Sequence, residues 1–298
     1  MMEENTMFIG ETPAVAIIMR SKDEKPYVDT VLERLLEQTY TNYVLYNIDS
    51  GSTDGTLETV KRSNPDPGKV YEIPAESYIP GVVLNDMVAR TAEPIVVLLN
   101  ADAIPQSNEW LEKLLRPILS GEVEATMSRQ IARPAARFID RYDYDRAYEA
   151  AAMTKADGFF SAVACAFKRE LWQETRFYTE GYAEDLAWSK TCQDKGHRFT
   201  LVMDSVVEHS HNFTLKGLYT KRYRHGVAYV YIYDARPRLF HQLYRCVREL
   251  ARDFLYAIRK GRVDTVPYNI AYRLVIHWAY YRGMCDGLRK FVKGNGQP

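Results

Sequence analysis

Apolar positions in the first 120 residues follow two alternating patterns. Residues 14–19 and 95–99 form short continuous apolar runs, and 43–48 and 70–73 are apolar but for Asn47 and Glu72. All four read as strands, the first and last buried on both faces. Between them, apolar residues recur every three or four positions. Val28, Val31, Leu32, Leu35 and Leu36 mark one helix, and Trp110, Leu111, Leu114, Leu115 and Ile118 mark another. Residues 56–62 and 82–89 read as two more. Pro26 suits a first helical turn, and Ser52 or Thr53 is the expected cap of the helix at 56. Residues 65–68 form a turn. The alternation predicts a doubly wound, mostly parallel α/β sheet with right-handed crossovers.

The rhythm changes after residue 120. Residues 125–131 and 161–167 read as strands, separated by an arginine- and tyrosine-rich stretch. Residues 186–195 read as a helix, and residues 199–207 as two short strands around Asp204. From Leu215 the pattern is helical. Leu239, Leu243, Val247, Leu250, Phe254 and Ile258 form a long apolar stripe, and Ile270, Leu274, Trp278 and Leu288 a second. These predict a C-terminal helical appendage and two regions, 1–235 and 236–298. No internal repeat or low-complexity tract is present.

A 298-residue chain with 46% hydrophobic and 26% charged residues reads as globular. No window has the roughly 18 uncharged apolar residues of a membrane span. The acidic, polar start, Met1 to Thr6, lacks the apolar core of a signal peptide. Four scattered cysteines, Cys165, Cys192, Cys246 and Cys285, lack zinc-site spacing, so a reduced, cytoplasmic protein is expected. Charge changes this picture more. The chain is neutral, yet from Arg236 onward 13 Lys or Arg face 4 Asp or Glu, a net of +9. That end suits an anionic partner, such as a membrane surface or a phosphorylated acceptor. A solvated helix face complementing the acidic remainder is the plainer alternative.

The chemistry-bearing residues sit at strand ends. Asp49 closes the second strand and opens Asp49-Ser50-Gly51-Ser52-Thr53-Asp54-Gly55-Thr56. Arg20 and Ser21 close the first strand, and Asn100-Ala101-Asp102 closes the strand at 95–99. Ligands of open α/β sheets bind along such a rim. Glu184-Asp185 opens a helix, where the helix dipole favours a carboxylate's charged form. His209 and His211 follow the strands around Asp204, and i, i+2 spacing points them the same way. Arg129-Gln130 and Arg133-Pro134 follow the strand at 125–131. Lys221, Arg222 and Arg224 form a basic helical cluster.

Asp49–Thr56 together with Asn100-Ala101-Asp102 resembles the family 2 glycosyltransferases of the GT-A fold, inverting enzymes that use nucleotide-sugar donors. The resemblance spans about residues 14–226. Residues 207–226 and the Arg129-Gln130-x-x-Arg133-Pro134 run look like parts of bacterial rhamnosyltransferases. The resemblance implies that Asp49 accepts the N3–H of a uracil or thymine, with Arg20 and Ser21 on the pocket's other wall. Asn100, Ala101 and Asp102 would stand at the family's Asp-x-Asp motif. That motif holds a divalent cation, Mg²⁺ or Mn²⁺, on the donor diphosphate. Here Asn100 replaces the first acid, leaving Asp102 as the motif's sole carboxylate ligand, with His211 completing the site and His209 in reserve. Asp185 would be the base that deprotonates the acceptor, and Glu184 its acceptor-binding partner. Arg129 and Gln130 would lie beside the donor sugar, with Arg222 reaching the diphosphate.

The implied reaction moves a sugar from a dTDP- or UDP-sugar, dTDP-rhamnose foremost, to a hydroxyl of a saccharide or lipid-linked acceptor. Surface polysaccharide or glycolipid synthesis is the implied setting, in the cytoplasm or peripherally at the membrane's inner face, with no nucleic-acid partner. A sugar-nucleotide pyrophosphorylase shares the fold class, but would carry glycines after the first strand where Arg20-Ser21-Lys22-Asp23-Glu24 has none. A non-catalytic nucleotide-sugar-binding scaffold is the alternative from another class.

Overall fold

The computed structural model describes residues 12–153 and 159–294; the acidic stretch 1–6 lies outside them. The first half alternates as expected. Strand β1 (Val15–Ser21) leads to α1 (Lys25–Leu36), β2 (Tyr43–Asp49), α2 (Thr56–Ser63) and β3 (Val70–Glu72). There follow α3 (Pro80–Ala89), β4 (Ile95–Asn100), β5 (Ile104–Pro105) and α4 (Trp110–Leu119). The second half holds β6 (Ala125–Ile131), α5 (Phe138–Met153), β7 (Ala164–Lys168), α6 (Arg169–Glu174), α7 (Glu184–Asp194) and β8 (Phe199–Glu208). Three long helices follow: α8 (Leu215–Tyr233), α9 (Leu239–Arg259) and α10 (Val266–Gly294).

The eight strands form one mixed sheet in the order β3-β2-β1-β4-β7-β6-β8-β5. Strands β1 to β4 pair in parallel, as do β6 and β8, while β7 runs antiparallel to both its neighbours. Ala16 and Ile18 pack into the core under α3 and α7, while Val15, Ile17 and Met19 pack under α1 and α4. Covering both faces is what makes the β1 run continuously apolar. The chain winds outward from β1 to β3, then returns to place β4 on the other side of β1. This reversal opens a crevice at the carboxyl ends of β1 and β4, where α/β folds bind ligands.

Several expectations are revised. The α2 cap is Gly55 (φ +95°), and the Asp54 carboxylate, not Ser52 or Thr53, receives the Thr56 N–H at 3.0 Å. Residues 199–207 form one strand, not two. Its partners shift between Ser128 and Arg129, so Met203–Ser205 bulge while the strand continues. Residues 161–163 precede β7 and line the site instead. The arginine- and tyrosine-rich stretch contains α5.

The boundary expected at residue 235 falls between helices that share a core. Ile139, Leu218, Tyr272 and Ile276 join α5, α8 and α10 in one cluster. Helices α8 and α10 approach so closely that a Cβ at Gly226 would meet the Tyr280 carbonyl oxygen at 2.2 Å. A Cβ at Gly283 would meet that of Tyr223 at 2.1 Å. This contact seats α8, which carries Lys221 and Arg222 to the site.

The stripe on α9 faces outward. Leu239, Leu243, Val247, Phe254 and Ile258 are exposed, whereas Glu249 and Asp253 on the opposite face are buried. The buried acids surround Arg273 of α10, which also makes two bonds to Asp143 at 2.6 and 2.7 Å. His277 adds a contact to Glu249 at 3.2 Å. A polar interior thus lies beneath an apolar exterior.

Candidate active site

Two cavities meet at Arg20. The smaller, about 260 Å³, is lined by Arg20, Ser21, Lys22, Glu24, Ser50, Ala75, Tyr78, Asn100 and Asp102. The larger, about 560 Å³, includes Gln130, Tyr148, Ser161, Glu184, Asp185, His209, His211, Lys221 and Arg222 in its lining, and Arg20 again. Arg20 ends β1, and its guanidinium donates to Asn100 Oδ1 and to the Ala162 carbonyl, both at 2.7 Å. It also faces Glu184 at 3.8 Å. The Ala162 N–H in turn donates to Asp185 Oδ2 at 3.2 Å. One short loop therefore couples the two strand ends to the carboxylates opening α7.

Asp102 is 1% exposed. Its carboxylate lies 3.5 Å from His209 Nε2 and 3.7 Å from His211 Nε2. These three residues place one ligand atom each within 4.8 Å of one another. The state of His209 makes the group fit a cation. Its Nδ1 lies 2.9 Å from Gln130 Oε1, while Gln130 Nε2 donates to Ser161 Oγ. The amide oxygen only accepts, so Nδ1 carries the proton and Nε2 presents a lone pair toward Asp102. Nε2 is buried with no hydrogen-bond partner. Burial pushes the His209 imidazole down to about 4, which keeps it neutral as a metal ligand must be. A carboxylate with two neutral imidazoles suits Mn²⁺ and tolerates Mg²⁺ less well. His209, expected only as the reserve, joins His211.

Arg133 was passed over as a site residue, though the Arg-Gln-x-x-Arg-Pro run contained it. It stacks 3.8 Å over Tyr27, donates to the Asp102 and Ser210 carbonyls, and reaches Asp102 Oδ2 at 3.2 Å. It clamps the histidine segment against the end of β4. Glu24 was passed over too. Burial pushes its carboxyl up to about 8, and the Asp102 charge adds to the shift.

Other expected residues have partners within the protein. Asp49 is fully buried beneath the smaller cavity. It accepts from Ser21 Oγ at 2.8 Å, Ser52 Oγ at 2.7 Å and Ser52 N–H at 2.7 Å, so it braces the loop. Asn100 positions Arg20. The Ala101 side chain is fully buried and its N–H donates to the Arg20 carbonyl. Gln130, expected at sugar hydroxyls, orients His209. Arg129 is absent from both cavities. Strand alternation turns it away from the face that Gln130 occupies.

Glu184 and Asp185 begin α7 after Ala183, which adopts a left-handed φ of +67°. Asp185 Oδ1 accepts the Leu186 N–H at 2.8 Å. Burial, then the Asp185 charge, push the Glu184 carboxyl up to about 7, against the pull of Arg20. A raised acid disfavours the folded state once it ionises, so stability falls as pH rises from about 4.5 to about 7. Glu184→Gln removes that cost. Its melting temperature, relative to the parent, should rise between pH 5 and pH 8 by an amount equivalent to about 2 kcal/mol. An unchanged difference across that range contradicts the assignment.

The family model described as glycosyl transferase family 2 matches residues 16–184. The O-antigen chain rhamnosyltransferase RfbN of Salmonella typhimurium is 25% identical over 212 residues, 66% of either chain and just short of two thirds of that relative. The mannosyltransferase PcManGT of Pyrobaculum calidifontis, solved with GDP-Man and Mn²⁺, shares the fold. Its TM-score is 0.59 at 22% identity, over 96% of this chain and 77% of that one. Glucosyl-3-phosphoglycerate synthase of Mycobacterium tuberculosis, solved with Mn²⁺, UDP and phosphoglyceric acid, gives 0.55 at 19% identity, over 74% of this chain and 79% of that one. With more than half of its length matched by the family model, and with that fold, the chain belongs to glycosyl transferase family 2, transferases of the GT-A fold.

Proposed function

We propose that this chain transfers a sugar, with inversion, from a pyrimidine nucleoside diphosphate donor to a hydroxyl of a saccharide or lipid-linked acceptor. The reading is carried by one observation. Arg20 joins a smaller cavity lined by Asp102 to a larger one lined by His209, His211, Glu184 and Asp185, so the Asp102 and histidine group spans the junction of the two. The donor's nucleotide occupies the smaller cavity, and its sugar and the acceptor meet in the larger. Arg20 and Arg222 face the diphosphate, whose charge their forks complement. Asp185 takes the acceptor's proton as that oxygen bonds to the anomeric carbon. The bond from that carbon to the phosphate oxygen breaks, and its electron pair leaves with the nucleoside diphosphate. Asp102, His209 and His211 would hold a divalent cation, which supplies charge neutralisation to the leaving phosphate.

The likeness to a rhamnosyltransferase favours dTDP-rhamnose as donor and a surface polysaccharide or its lipid-linked precursor as acceptor. The net charge of +9 from Arg236 onward favours peripheral contact with the inner face of an anionic membrane. Base preference is tested by thermal denaturation with Mn²⁺ and UDP, dTDP or GDP. A ligand at a hundred times its dissociation constant adds about 2.7 kcal/mol. UDP or dTDP should raise the melting temperature more than GDP, and a shift with GDP alone overturns the pyrimidine assignment.

A further inference from the structure

We propose that the outward face of α9 is a docking surface for an anionic lipid bilayer. Helix α9 is inverted relative to a helix packed on a core. Its acids, Glu249 and Asp253, point inward, both against Arg273, with His277 also beside Glu249. Its large apolar residues point outward, with Phe240 86% and Val247 66% exposed. Helix α10 extends the apolar exposure with Ile270, Leu274 and Trp278. Isolated exposed leucines need no explanation, but a stripe of them along a 21-residue helix does.

Charge decides the occupant. Between residues 236 and 262 the only acids are the buried Glu249 and Asp253, while Arg236, Arg238, Arg248, Arg259, Lys260 and Arg262 are exposed. Every exposed charge on α9 itself is thus positive; the nearby exposed acids are Asp264, paired with Arg262 at 2.9 Å, and Asp145 and Glu149 on neighbouring α5. An apolar face edged mainly by cations suits an interfacial helix, which seats apolar side chains among acyl chains and cations among anionic headgroups. A second copy of this chain would bring the same cations against themselves. No described helix is long and apolar enough to cross a membrane, which is consistent with a helix lying in the interface.

This deepens the peripheral-membrane element of the proposed function. It is tested without donor or acceptor, so its failure is separable from failure of the transfer reaction. The full chain is floated with phosphatidylcholine vesicles and with mixed phosphatidylcholine–phosphatidylglycerol vesicles. Binding is expected only to the anionic vesicles and should weaken as salt rises. Phe240→Asp with Val247→Asp, and separately Arg238→Glu with Arg248→Glu, should each lower the bound fraction about tenfold or more. Helical circular dichroism and vesicle-free donor hydrolysis should stay unchanged. Absence of parent binding to anionic vesicles overturns the proposal, as does equal binding by both variants. A dimer seen by light scattering that Phe240→Asp with Val247→Asp disperses, without vesicle binding, assigns the face to a second copy instead.

Discussion

Asp185→Asn should abolish transfer while leaving the donor bound. Asp185 lies in the larger cavity at the start of α7, with its oxygens anchored by the Leu186 and Ala162 N–H groups. An asparagine has nearly the same volume and keeps one acceptor, enough for the Leu186 or the Ala162 N–H but not both, while the Arg20 bonds to Asn100 and to the Ala162 carbonyl still hold the loop. What disappears is the capacity to accept a proton. Losing a general base costs about 10²- to 10⁴-fold in kcat, and nucleotide affinity should change little, because Asp185 does not line the smaller cavity proposed for the nucleotide. Neighbouring Glu184 does not substitute, since its carboxyl is directed to Arg20 at 3.8 Å. Steady-state transfer and nucleotide titration together decide the matter. Near-parental kcat in Asp185→Asn with loss in Glu184→Gln moves the base to Glu184, and loss of donor binding makes Asp185 structural.

Asp102→Asn should separate two roles of one carboxylate. Asp102 is the single acid of the three-residue group and the counter-charge of buried Arg133. Leaving a buried guanidinium without its partner costs several kcal/mol. The amide retains one acceptor, so a fall of about 3 kcal/mol in stability is expected without metal. Affinity for Mn²⁺ should fall about 100-fold or more, because two neutral imidazoles and an amide bind a dication far more weakly than a site with a carboxylate. Calorimetric Mn²⁺ titration measures the second effect and denaturant unfolding the first. Unchanged Mn²⁺ affinity would place the cation elsewhere.

Much of the site was legible because strand ends are legible. Apolar runs located β1, β2 and β4, and the polar residues after each run fell on the rim that topology brings together. Side-chain commitments were not legible. Asp49 reads as an acceptor aimed at a base, and the sequence does not show that Ser21 and Ser52 also donate to its carboxylate. Gln130 and Arg129 are adjacent in the chain, and only strand alternation against β8 decides which faces the cavity. His209 and Arg133 join Asp102 because the β8 segment returns beside β6, a long-range pairing without a local signal. Helix α9 shows a further limit. Periodicity finds an apolar stripe but not the direction it faces, and here Arg273 on another helix draws the polar side inward. Helix α5 was obscured by its arginines and tyrosines, whose stems and rings cover apolar surface while their polar ends serve neighbours.

Carboxylates distant in sequence converge on one crevice, and a crystal structure with Mn²⁺ and a UDP- or dTDP-sugar would show whether an activated sugar lies in it. The ion is expected on Asp102 and the histidines, the diphosphate beside Arg20, and Asp185 facing the anomeric carbon from the larger cavity. A nucleotide bound away from β1 and β4, or a sugar out of reach of both Asp185 and Glu184, would contradict that arrangement.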